Sequence, residues 1–198
     1  MAIKKAYEIL KILLRDISKK HTVTSISKER KISRVGAWKL LKELENENLV
    51  ILVSIGSEKT SVREASLNWD NPLLENILIF IITEEALKQN KWRYNFKELE
   101  KSVDFLILFG SILHSPKEAN DIDILSLVSN EKGFVKIGKI ITDIQVTQDK
   151  KIHAINLTER ELKQELKDKN KAYLDALKKG VILFGQEKFI KFIKKLKQ

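Results

Sequence analysis

Between Phe105 and Val128 the chain reads FLILFGSILHSPKEANDIDILSLV, and two features of this stretch carry chemistry. Asp121 and Asp123 stand at i and i+2 of a run that reads as a buried strand, so both carboxylates project from the same side. An apolar strand is a poor place for two acids unless a cation neutralises them, and a divalent metal ion shared by both is the natural partner. Without a ligand, Asp121 would be a turn residue and Asp123 an edge-strand charge. Upstream, the apolar strand Phe105–Phe109 runs into Gly110-Ser111. Glycine lets a ligand approach the backbone closely, and a serine hydroxyl with neighbouring amides at a turn suits phosphate oxygens. Each pair alone is common; the order, with an apolar strand before each and a short polar spacer between, is what carries information. In the spacer, His114 and Lys117 are the cations that can assist phosphate binding, although a solvated loop charge is the favoured role for either.

These residues need elements to position them. A helix fits Glu131 to Gln148, with Phe134, Ile137, Ile141 and Ile144 inward, and a strand fits Lys151 to Leu157. Thr158 caps a further helix running through Asn170 and Leu177, closed by Lys178-Lys179-Gly180. The short strand Val181–Gly185 and a basic helix, Glu187–Lys197, complete this part. Phe189, Phe192, Ile193 and Leu196 share one side of that last helix, which suits packing better than a membrane surface. Nearer the start, Ile3, Tyr7, Leu10, Leu14 and Ile17 mark one face of a helix, and a short helix fits Ser25–Arg30. After a tight turn at Lys31-Ile32, Ser33 caps a third helix to Asn46 with Ala37, Leu41 and Leu44 inward. Strands at Leu49–Ile55 and Val62–Leu67 are joined by a loop containing Gly56 and Ser57. Turn formers cluster at Asn68–Pro72, giving an expected division into residues 1–71, a connecting helix at 72–94, and 95–198.

Length and composition bound the rest. In 198 residues two small domains fit, and 43% hydrophobic residues with only 2 prolines and 7 glycines support a real core. The net charge of +10, shared evenly on the two sides of Asn71, favours a polyanionic partner. No cysteine is present, which excludes disulfides, thiolate metal sites and a cysteine nucleophile. The start, MAIKKAYEILKILLRD, carries cations through any would-be signal segment. The longest apolar run, Ile77–Ile82, falls far short of the roughly 18 to 20 residues that span a bilayer. A cytoplasmic, non-membrane protein is expected.

The order of helices and hairpin before Asn68, and the segment ISRVGAWKLLKELENENLV, resemble winged helix-turn-helix regulators of archaea and bacteria. That resemblance implies a third helix in the major groove of DNA, with Ser33, Arg34, Trp38, Lys39 and Lys42 facing it, and Lys59 and Arg63 on the wing reaching phosphates. The same residues also suit a solvated helix face, and winged helices serve as protein-interaction modules too. A palindromic DNA site would call for a homodimer.

The G-S, spacer and D-x-D pattern resembles the DNA polymerase beta nucleotidyltransferase superfamily, most closely its minimal stand-alone members. An LTEREL-like helix start and a GVILFG-like strand extend the likeness thinly over about Asn95 to Gln198. The resemblance implies an α/β fold, an α+β nucleotidyltransferase core with a mixed sheet preceded by a winged-helix domain. It further implies Asp121 and Asp123 as catalytic and metal residues holding Mg2+ or Mn2+, Gly110 and Ser111 holding the triphosphate of an NTP, and NMP transfer to a protein or RNA hydroxyl. Active members usually carry a third acid in a later strand. Here no acid lies within Lys151–Leu157, and Asn156 or His153 stands in that place. Two explanations stay open. Transfer persists without the third acid, with Asp143 or Asp149 approaching if the strand register differs; or catalysis is lost and the protein is a DNA-binding regulator whose second domain binds nucleotide or partner.

Overall fold

The computed structural model describes residues 2–56, 62–130 and 132–197, so the expected wing residues Ser57 and Lys59 and the helix-start residue Glu131 lie outside the described residues. The chain divides into two compact units, Met1–Ile81 and Ile82–Gln198.

In the first unit, helix α1 (Ala2–Arg15) buries Ala6, Ile9, Leu10, Leu13 and Leu14. Leu10 and Leu14 are the expected residues of that stripe, whereas Tyr7 and Ile17 are only half-buried. A helix facing a core hides a band wider than a single i, i+4 row, and here the band is centred to one side of Tyr7. The helix stops short of Ile17 because Asp16 accepts hydrogen bonds from the Ser18 backbone N–H (3.2 Å) and hydroxyl (2.5 Å). Strand β1 (His21–Thr22) then pairs with a later strand; two residues are too few to show a period in sequence. Thr22 and Ser25 form a reciprocal cap that starts helix α2 at Val23, ahead of the expected Ser25, and carries it to Arg30. Lys31 closes it in the left-handed conformation at φ 53°. Ser33 accepts the Gly36 N–H at 3.0 Å and opens helix α3 (Arg34–Asn46), with Ala37, Leu41 and Leu44 buried as the spacing predicts. Strands β2 (Val50–Ile55) and β3 (Val62–Leu67) pair antiparallel from Val50↔Leu67 to Ile55↔Val62, in a sheet ordered β1-β3-β2.

Helix α4 (Leu74–Leu87) contains the division between the units. The expected helix to about Asn90 is interrupted where Lys88 and Gln89 bond three residues back, and α5 (Asn90–Asn95) follows.

The second unit is mixed α/β. Strand β4 (Phe105–Phe109) lies antiparallel to both β5 (Asp121–Val128) and β7 (Val181–Phe184), while β6 (Lys151–Thr158) runs parallel to β5. Helix α6 (Lys132–Gln145) makes the crossover from β5 to β6 that a parallel pair requires. The sheet order is β6-β5-β4-β7. Alternation sorts the strand residues onto two faces. Leu106, Leu108, Ile122, Ile124 and Ile152 join Trp92, Phe96, Ile137 and Ile144 in one buried cluster. On the other face, Phe105 meets Phe189 and Phe192 of helix α9 (Gln186–Lys197), ring centres 5.4 and 5.7 Å apart. Thr158 caps α7 (Glu159–Lys167) through a reciprocal box with Glu161, as expected. The single helix expected from there to Leu177 is two: Lys169 turns left-handed at φ 56°, and Asn170 accepts the Ala172 N–H to start α8 (Lys171–Lys179). Asparagine competes well for a cap, and that local bond outbids helix continuation. Among the described residues, no helix is long and apolar enough to cross a membrane.

Candidate functional site

The strand register brings Gly110, Asp121, Asp123 and a residue of β6 to one end of the second sheet. Phe109 pairs with Asp123, so Gly110, the next residue, lies directly beside that carboxylate. A Cβ on Gly110 would sit 2.2 Å from Asp123 Oδ2, and the residue holds φ 81°, ψ −164°, backbone open essentially to glycine alone. Ser111 is exposed and opens a 3-10 turn, Ser111–Leu113, its carbonyl accepting from His114 (3.0 Å) and Ser115 (2.8 Å) N–H. On the other flank, parallel pairing sets Asp121 beside Lys151 and Asp123 beside His153. His153 Nδ1 lies 3.2 Å from Asp121 Oδ2 and 3.6 Å from Asp123 Oδ1.

The electrostatics follow from this placement. Asp123 is held above the ordinary carboxylate range, first by burial and then by the charge of Asp121, with His153 pulling the other way through charge and hydrogen bonding. One atom each from Asp121, Asp123 and His153 falls within 4.8 Å of the others. Two carboxylates and an imidazole so close are a donor set that fits a divalent ion, and Asp123 Oδ2 occupies the space that a side chain at residue 110 would take.

The two sequence alternatives for the third-acid position separate here. His153 shares the face of Asp121 and Asp123. Asn156, an odd number of residues along the strand, faces the other way and pairs with Ser126, whose buried hydroxyl donates to Asn156 Oδ1 at 2.6 Å. Asp143 and Asp149 also lie elsewhere: with Trp92, Ile112, Ile122 and Lys150 they line a cleft of about 620 Å³ on the face opposite the carboxylate pair. Neither acid therefore joins the pair; the residue of β6 that does is His153. His114 and Lys117 are exposed on the segment between β4 and β5. Lys151, not singled out from sequence, is an exposed cation beside Asp121; the signal for it was the period-2 spacing from His153.

In the first unit, Arg34, Lys39 and Arg63 are exposed cations, the first two on α3 and the third on β3. Trp38 is half-buried with the Lys42 ammonium 5.5 Å from its ring centre, and Lys42 also pairs with Glu45. Ser33 is spent on its cap. A second acid–histidine group, Asp16, His21 and Glu29, is bridged by Lys19 at 3.3 Å from Asp16 and 3.1 Å from Glu29, so an ammonium already answers its carboxylates.

Comparison of the chain with protein-family models, with curated proteins and with solved structures finds no match.

Proposed function

We propose that the second unit is a nucleotidyltransferase that moves NMP from an NTP to a hydroxyl of a protein or RNA acceptor. The observation that carries this reading is the convergence of Gly110, Asp121 and Asp123 at one open end of a mixed sheet, with Asp123 against a glycine that no other residue can replace without collision. Asp121 and Asp123 would hold Mg2+ or Mn2+, which when bound neutralises triphosphate oxygens and polarises the attacked phosphorus. Gly110, whose side-chain position is taken by the Asp123 carboxylate, and Ser111, whose hydroxyl is exposed, would border the triphosphate. Lys151, beside Asp121, adds a positive charge on the same face.

A second reading is favoured by a specific observation: among the described residues the cluster contains two acids and a histidine, so an imidazole stands where a third carboxylate would take a proton from an attacking hydroxyl. In that reading the protein is a DNA-binding regulator, supported by a helix and strand order in the first unit that resembles a winged helix, with Arg34 and Lys39 facing DNA and a second unit that binds nucleotide or a partner without turnover. The discriminating experiment incubates the purified chain with each alpha-labelled NTP, Mg2+ or Mn2+, and a lysate as acceptor pool, beside Asp121→Asn/Asp123→Asn. Transfer of label by the wild type alone supports the enzyme. No label above the double variant with any nucleotide and either metal refutes transfer and leaves the regulator.

A further inference from the structure

We infer that His153 is a third metal ligand and that, with Asp121 and Asp123, it forms a mixed imidazole–carboxylate centre selective for a first-row transition dication over Mg2+. The inference rests on the reading of Asp121 and Asp123 as a metal pair, and it stands apart from whether a nucleotide is transferred.

Geometry comes first. In an octahedral ion with ligand bonds near 2.1 Å, neighbouring ligand atoms stand about 3 Å apart. The imidazole Nδ1 is 3.2 Å from one carboxylate oxygen and 3.6 Å from the other, close to that edge length without rearrangement of the strands. Those strands fix all three Cα positions, because Asp123 and His153 are register partners on adjacent parallel strands and Asp121 precedes Asp123 on the same face. Gly110 bounds the other side of Asp123, and any side chain there would push the carboxylate out of this arrangement.

Chemistry then selects the ion. Mg2+ is hard, takes oxygen ligands and keeps its waters, so replacing a carboxylate by an imidazole removes a charge and offers a donor it uses poorly. Manganese, iron, cobalt and zinc accept imidazole nitrogen readily, with affinity rising along the first row. Binding at Nδ1 leaves the ring proton on Nε2, the tautomer that a Nδ1-bound metal requires. Among the described ion pairs, the partner of both Asp121 and Asp123 is His153, whereas Lys19 bridges Asp16 and Glu29.

The test is titration of the intact, nucleotide-free chain with Co2+, Mn2+ and Mg2+ by calorimetry, with the visible absorption of Co2+ as an independent report of nitrogen ligation. One Co2+ per chain should bind at least about tenfold more tightly than Mg2+, with Mn2+ between them. His153→Ala should lose that preference by weakening Co2+ at least about tenfold and altering its spectrum, while His153→Asp should strengthen Mg2+. His153 is exposed, so both variants should keep the wild-type circular dichroism, with the unfolding midpoint lowered only modestly by the repulsion that the imidazole no longer relieves. Asn156→Ala, on the opposite face, should leave metal affinity unchanged. Equal affinity for Co2+ and Mg2+, no effect of His153→Ala on Co2+, or no metal bound by the wild type would each overturn the inference. Label transfer that needs Mg2+ and ignores His153→Ala would defeat the inference and preserve the enzyme. A selective Co2+ site in a chain that transfers no label would do the reverse.

Discussion

Gly110→Ala is the sharpest perturbation the structure offers, because two independent costs meet at one methyl group. The backbone sits at φ 81°, ψ −164°, a region where any residue with a Cβ is strained by about 1 to 3 kcal/mol. The new Cβ would also lie 2.2 Å from Asp123 Oδ2, so the carboxylate must rotate away. Moving a side chain off its preferred rotamer costs about 0.5 to 1.5 kcal/mol. Together the expected destabilisation is about 2 to 4 kcal/mol, read as a shift in urea unfolding followed by circular dichroism. The two contributions separate in a double-mutant cycle, since Asp123→Ala removes the collision and leaves the backbone strain: Gly110→Ala should cost about 1 kcal/mol less in that background. In the Asp123-containing protein it should also abolish metal binding, although Gly110 supplies no ligand atom. A loss below about 0.5 kcal/mol with metal affinity intact would show that the close approach of Gly110 and Asp123 does not exist in solution, and the site reading would fall with it.

Three further outcomes follow from the same geometry. Asp123 has its carboxyl raised by burial and by Asp121, so its ionisation opposes folding: the penalty is absent at low pH, where both states are protonated, and complete above the raised folded value. In chelator, Asp123→Asn should therefore match the wild type near about pH 3 and become increasingly more stable than it toward about pH 7, measured by urea unfolding; a gap that narrows with rising pH would reverse the assignment. Ser126→Ala leaves the half-buried Asn156 side-chain carbonyl without its donor and should cost about 1 kcal/mol in the same assay while leaving metal titrations unchanged, since that pair faces away from the carboxylates. If the first unit binds DNA, Arg34→Glu/Lys39→Glu should weaken binding to all sequences and reduce the slope of log affinity against log salt by about 2, roughly 0.9 per lost phosphate contact; an unchanged slope would exclude those side chains from the interface.

The sequence reveals some of these features and conceals others for physical reasons. Strand β4 was legible because a fully apolar run is conspicuous, and β5 because Asp121 and Asp123 alternate with apolar residues that continue to Val128 with only Ser126 polar. Caps at Ser33 and Thr158 were legible because a short polar side chain before an apolar period has few other uses. Strand β1 was hidden, since pairing decides a two-residue strand and propensity does not. The break at Lys169-Asn170 was hidden because a charged, good helix-forming segment gives no warning of a left-handed residue. The choice between Asn156 and His153 needed the third dimension: alternation places them on opposite faces, but only the pairing of β5 with β6 says which face carries the acids.

That last point bears on why the site holds two acids and an imidazole at all. The end of β5 is stabilised on one face by Ile122 and Ile124 in the buried cluster, and its other face could have been made apolar at a gain in stability. Instead, two negative charges are set side by side, one carboxyl is pushed upward, and Gly110 is confined to a conformation that excludes side chains. The paired charges and the raised carboxyl disfavour the folded state. The imidazole relieves part of the repulsion, but it is half exposed and at 3.2 and 3.6 Å it meets each carboxylate only loosely, so it is a poor substitute for a full ion pair. A bound cation would offset that repulsion, which is the argument for the proposed metal site. On this argument metal should raise the unfolding midpoint of the wild type more than that of His153→Ala, and least of all that of Gly110→Ala.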